Sequence, residues 1–150
     1  MNKKMIIRVV IVISLLLVVG CNSNKVKNNK EEINDKTIEM SDKMKIIIDD
    51  KEYEVNLENN ETVKELLKML PLELKMNELN GNEKYVYLDN TLPTNTYNPR
   101  EIKSGDVMLY GNNCLVIFYK SFNTSYSYTK IGHIDDLPSL NGNSIIVKFG

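Results

Sequence analysis

The chain is poor in the residues that metal binding and catalysis draw on. Its 150 residues include one histidine, two cysteines and no tryptophan. Structural zinc takes four His or Cys ligands, and the lone His133 has only Asp135 and Asp136 beside it, so no metal and no cofactor is expected. There is no HExxH helix and no Gly-rich phosphate loop. Ser121, Ser125 and Ser127 carry no nucleophile signature, so no catalytic residue is assigned. Neither sign of charge dominates, with 19 basic residues against 20 acidic ones. Lys3, Lys4 and Arg8 fall in the first twenty positions, which hold no acid. The remainder therefore carries 16 bases against 20 acids and a charge near −4. Nucleic-acid backbones are gripped by clustered Lys and Arg, so a nucleic-acid partner is excluded.

What is present begins with an address. Residues 1–8 are basic, residues 9–19 are apolar apart from Ser14, and Gly20-Cys21 follow at once. Eleven residues fall short of the roughly 20 needed to span a bilayer and match the core of a secretory signal. The ending Val18-Val19-Gly20-Cys21 resembles the lipobox of bacterial lipoproteins. That resemblance implies cleavage after residue 20, diacylglycerol on the Cys21 sulfur, and a lipid-anchored protein on the extracytoplasmic face of the cell membrane. Two acyl chains anchor stably where one binds reversibly. Residues 21–43 then form a lipidated cysteine and tether. The segment is rich in Asn, Lys, Glu and Asp and has no sustained apolar period. Such a segment buries too little surface to offset its ordering entropy. As a flexible coil its 22 residues after Cys21 would span roughly 25 Å.

Residues 44–150 read as one domain. MKIII (44–48) and EYEVNL (52–57) form a hairpin around Asp49-Asp50-Lys51, and Tyr53, Val55 and Leu57 alternate with polar residues. Residues 61–70 predict a helix with Val63, Leu66, Leu67 and Leu70 on one stripe. It opens with a Thr62–Glu65 capping-box spacing, or with Asn60 as the cap, and Pro71 ends it. The stripe is suited to plug an open end of a sheet or barrel. Leu72, Leu74 and Met76 alternate in a further strand, Asn80-Gly81-Asn82 turns, and YVYL (85–88) is strand again. Residues 89–100 form a loop.

The central stretch is residues 105–132. Residues 107–110 and 114–119 are nearly continuous apolar runs joined by Gly111-Asn112-Asn113, a connection suited to positive φ. Runs apolar on both faces are buried on both, which predicts a barrel with an outer cover. Cys114, with Cys21 assigned to lipid, is unpaired and behaves as a small buried hydrophobe; no Lys or His lies beside it to lower its pKa. Ile131 and Ile134 return to the core, and SIIVKF (144–149) closes the sheet. The expected class is mainly β, with about eight strands and one clear helix.

The segments LKMLPLELKM, IKSGDVMLYG and LVIFYKSFNTSYSYTKIGHID, with the final strand, resemble the bacterial cyclophilin-like domain family. The likeness spans residues 44–150 and implies a small closed cyclophilin-like β-barrel with one or two peripheral helices. Members of that family mostly lack an established activity. Where the family usually carries arginine after SYSYT, this chain has Lys130 and His133, which lack the bidentate fork of arginine. True cyclophilins present a catalytic arginine followed by phenylalanine and glutamine, and a pocket tryptophan. Here there is no tryptophan or glutamine, and Arg100 stands in a polar loop outside that motif. No catalytic residue carries over.

The candidate ligand-binding residues are Tyr119, Tyr126, Tyr128, Lys130 and His133. On an extended chain Tyr126, Tyr128 and Lys130 share a face. Two phenols and a cation there could hold an anionic or peptide-like ligand; the alternative is that the rings merely pack on the barrel and turn their hydroxyls outward. The expected function is a non-catalytic domain that binds a small ligand or peptide. The alternative is a peptidyl-prolyl isomerase acting on exported chains, with Lys130 as donor and Phe118 or Phe122 lining a proline pocket.

Overall fold

A computed structural model describes residues 41–150. The expected signal, Cys21 and all but the end of the tether lie outside the described residues. The first strand, β1 (Lys43–Ile48), turns through Asp49 and Asp50, both at positive φ, into β2 (Lys51–Leu57). A two-residue turn of this hand matches the twist of the strands it joins. Helix α1 (Glu61–Lys68) follows, then β3 (Leu72–Leu79), β4 (Glu83–Tyr87), β5 (Glu101–Ile102), β6 (Asp106–Tyr110), β7 (Cys114–Phe118), β8 (Phe122–Asn123), β9 (Thr129–Ile134) and β10 (Ser144–Phe149).

Eight of these strands close into an antiparallel barrel in the order β1-β10-β3-β4-β7-β6-β9-β2, with β2 paired back to β1. Closure leaves no strand edge in the barrel unpaired. Alternate side chains point inward, so Ile46, Val55, Met76, Leu109, Leu115 and Ile117 form a continuous interior. Val63 and Leu66 of α1 join that core, as the apolar stripe predicts.

Strands β6 and β7 are also buried on their outer face. Met108, Cys114, Val116 and Phe118 gather there with Ile102 and Tyr128 in a second cluster. The cover is made by β5 and β8, which pair only with each other, and by a bridge between Tyr97 and Tyr128. The doubly apolar runs therefore mark a barrel wall with something packed outside it.

Several local expectations need correction. The cap of α1 is Asn60, whose side-chain oxygen accepts from the Val63 N–H at 2.9 Å. Thr62 is instead buried and donates to the Pro93 carbonyl. The helix ends at Lys68, two residues short of the apolar stripe. Strand β4 begins at Glu83, not at Tyr85, because the charged pair Glu83-Lys84 is strand despite its polarity. The two-residue strands β5 and β8 have no period to read.

A β-bulge in β9 sets the last part of the site. Val107 pairs with Gly132 and Met108 with Lys130, so one residue of β9 is unmatched. Ile131 and Ile134 both reach the interior as a result. Gly132 lies so close to β2 that a Cβ there would fall on the Asn56 carbonyl oxygen.

Candidate functional site

The outer face of β4, β7 and β6 carries an open hollow of about 310 Å³. It is built by strand alternation. On β4, Glu83, Tyr85 and Tyr87 share the outward face. Their partners across the ladder on β7 are Phe118, Val116 and Cys114, and Cys114 pairs in turn with Tyr110 at the end of β6. Cys114 and Val116 form the floor, while Tyr126, Tyr128 and Phe122 bring in the wall from the cover.

Five tyrosines therefore meet around one space. Tyr110 makes an edge-on pair with Tyr126 at 5.9 Å and a tilted pair with Tyr128 at 5.6 Å. Tyr85 and Tyr87 are likewise edge-on at 5.9 Å. Rings at such angles meet edge to face or obliquely instead of stacking flat. Tyr87, Tyr110 and Tyr126 are exposed, at 64%, 44% and 61%. Isolated exposed tyrosines are ordinary; three on one rim around a cavity make a surface suited to contact.

Among the described residues, Glu83 is the only lining side chain that bears a charge near neutral pH. Burial, with the charge of Glu78 nearby, pushes its carboxyl up to about 7. Burial also raises the Cys114 thiol, so the floor is an inert neutral group, as the sequence predicts.

The residue after Glu83 has the opposite fate. Lys84 points into the barrel and is wholly buried, with its Nζ donating to Glu78 Oε2 at 2.7 Å and to the Gly142 carbonyl. Tyr119 donates to the same Glu78 oxygen at 2.7 Å, and the Gly81 N–H donates to Oε1. Burial opposes ionisation of Glu78, but these donors outweigh it and hold the carboxyl below its ordinary range. Burial and the bond to Glu78 push Tyr119 up to about 12.

The five residues singled out in the sequence are thus distributed over four places. Tyr126 and Tyr128 line the hollow. Tyr119 belongs to the barrel-end network. Lys130 faces a second, more open recess of about 400 Å³ with Glu58, Asn60, Asn95 and Tyr97. There it pairs with Glu58 at 3.2 Å while Asn60 donates to its carbonyl. His133 places Nδ1 3.1 Å from buried Asp106, with Asp135 at 3.7 Å from Nε2. Asp106 also accepts from the Lys103 N–H, so this group pins the start of β6. Phe118 is fully buried against Phe122, which lines the hollow and not the Lys130 recess. The donor and apolar ring that an isomerase would need are not brought to one place by these residues.

The profile of the Cyclophilin-like family matches residues 46–149. The chain belongs to the cyclophilin-like family. The match covers all eight barrel strands apart from the first three residues of β1. No curated protein and no solved structure matches the chain.

Within this cyclophilin-like barrel, sequence reasoning missed Glu83, Tyr85, Tyr87 and Tyr110 as site residues. The signal was present in part: Glu83, Tyr85 and Tyr87 have the period of two that puts them on one strand face. Their meeting with Tyr126 and Tyr128 depends on cross-strand register and on the cover.

Proposed function

We propose that this cyclophilin-like domain is a non-catalytic binding module, held on the extracytoplasmic face of the cell membrane by diacylglycerol on Cys21. It takes a small ligand or an extended peptide in the tyrosine hollow. The observation that carries the reading is the hollow itself: five phenol rings and one carboxyl around a space of about 310 Å³. That size is at the lower end of the range of small-ligand sites, and the lining mixes aromatic and aliphatic surface with polar groups in about equal shares. The recess beside Lys130 is a weaker candidate, because the Lys130 ammonium is already paired with Glu58 and the Asn60 amide already donates to the Lys130 carbonyl. The membrane address is supported by the basic, apolar and Gly-Cys pattern of residues 1–21.

The test is an NMR titration of the full chain in non-ionic detergent with small amphipathic molecules and an Xaa-Pro peptide. Ring signals of Tyr85, Tyr110, Tyr126 and Tyr128 should move together, and Tyr126→Ala should weaken binding without unfolding the domain. Signals that move only around Lys130 and Tyr97 would relocate the site. Accelerated cis/trans exchange of the peptide would replace the binding reading with catalysis. Intact mass should show a mature chain starting at Cys21 with acyl mass added; an unmodified chain would overturn the anchor.

A further inference from the structure

The charge and the aromatic content of the hollow select among ligands. We propose that the hollow binds a small organic cation, a protonated or quaternary ammonium, between the tyrosine faces and the Glu83 carboxylate. The inference rests on the hollow being a binding site and adds the class of ligand.

Two independent features favour a cation. The first is aromatic: ring faces carry the negative part of the π quadrupole, and an ammonium within about 6 Å of a ring centroid is attracted to it. Tyr110, Tyr126 and Tyr128 form one angled group of rings and Tyr85 with Tyr87 another, so a compact cation in the hollow has tyrosine rings on two sides. The second is charge. Among the described residues no Lys, Arg or His lines the hollow, and its one charged group there is an acid with no cationic partner among their ion pairs. Glu78, the nearest other acid, is already satisfied by Lys84, Tyr119 and Gly81. An anionic ligand would meet Glu83 with no compensating cation. A neutral one can hydrogen-bond that half-buried carboxyl but leaves its charge uncompensated. A cation answers both.

The groups around Glu83 set the pH dependence. They are Glu78 from β3, Cys114 from β7, Tyr119 just beyond β7, and Tyr128 from the cover, while Lys84 points away into the barrel. The thiol and both phenols are raised and stay neutral at pH 7, and Glu78 is held ionised. Glu83 is therefore the group that changes charge near neutrality. A cation prefers the ionised form, so its affinity rises as pH rises through 7 and then levels off.

The probes are choline, its neutral carbon isostere with a quaternary carbon in place of nitrogen, and a carboxylate of similar size. Each is titrated into the full chain in non-ionic detergent and read at the tyrosine ring signals. At about pH 8 choline should bind about tenfold more tightly than the isostere, and the carboxylate most weakly. The advantage of choline should shrink several-fold at about pH 5.5 and in Glu83→Gln, a change of near-identical shape. Tyr126→Leu, at an exposed rim position, should lower choline affinity while keeping the fold. Equal binding of choline and isostere would overturn the cation inference and leave the hollow as a binding site. So would a choline advantage indifferent to pH and to Glu83→Gln. Ring signals unmoved by all three probes would overturn the inference and count against the hollow as well.

Discussion

Glu83 and Lys84 are neighbours in sequence and opposites in environment. Lys84 enters the barrel and finds Glu78, the Gly142 carbonyl and the face of the Tyr119 ring, at 5.6 Å from its centroid. Glu83 faces outward into a cavity of tyrosines and finds no partner cation. Alternation along one strand separates them, and only the first is fully served by its surroundings. A buried charge whose donors and acceptors are matched belongs to the structure. A half-buried acid left without a cation, at the end of an open aromatic hollow, is poised for something from outside.

That contrast can be broken from the network side first. Lys84→Ala should have the largest effect, about 3 kcal/mol of lost stability, because it empties a wholly buried side-chain position and takes the cation from the partly exposed Glu78 carboxylate. Chemical denaturation of variant and parent measures it, and a loss below about 0.5 kcal/mol would mean the pair is not sealed from water. Tyr119→Phe comes next. Removing a hydroxyl that donates to a charged carboxylate should cost about 1.5 kcal/mol, whereas Tyr126→Phe on the rim should change stability by less than about 0.5 kcal/mol. Equal effects at the two positions would erase the distinction between network and hollow.

A smaller effect than either network change tests Glu83 and has a sign. Its folded-state pKa is raised from 4.5 to about 7, so the folded protein holds this proton more tightly than the unfolded chain. Between those values the native state binds more protons, and this group's contribution to stability falls as pH rises through the window. Glu83→Gln removes that loss. It should stabilise by about 1 kcal/mol at about pH 8, after allowance for solvent screening, and by almost nothing at about pH 4. Glu78 runs the other way: its lowered pKa contributes stability above the ordinary carboxylate range that is lost as pH falls. Thermal melts across pH in the parent and in Glu83→Gln separate the two.

The site was partly legible before the structure. Tyr126 and Tyr128 stand out as phenols in a stretch that leaves the aliphatic pattern, and both line the hollow. Lys130 follows at the same period but pairs with Glu58 beside another recess, so the anionic ligand expected from it gives way to the proposed cation. Tyr119 reads like the others and is instead a structural donor to Glu78, forty-one residues away along the chain. Glu83-Lys84 falls between the Asn80-Gly81-Asn82 turn and the strand read from Tyr85, because local polarity gives no sign that Lys84 will be buried beside the chain around Gly142.

The sequence alone determined the class of fold. Hydrophobic period identifies strand and helix, the double-sided apolar runs of β6 and β7 require a wall with an outer cover, and Asn, Asp and Gly mark the turns. These are local properties, carried by residues within a few positions of one another. The tertiary structure decided the site. Closure of the barrel sets β4 beside β7, the bulge in β9 offsets Lys130, and the cover brings Tyr126 and Tyr128 over Cys114. A hollow assembled from four separate segments has no period in any one of them. Which charge is buried and which faces the hollow depends on contacts between strands far apart along the chain.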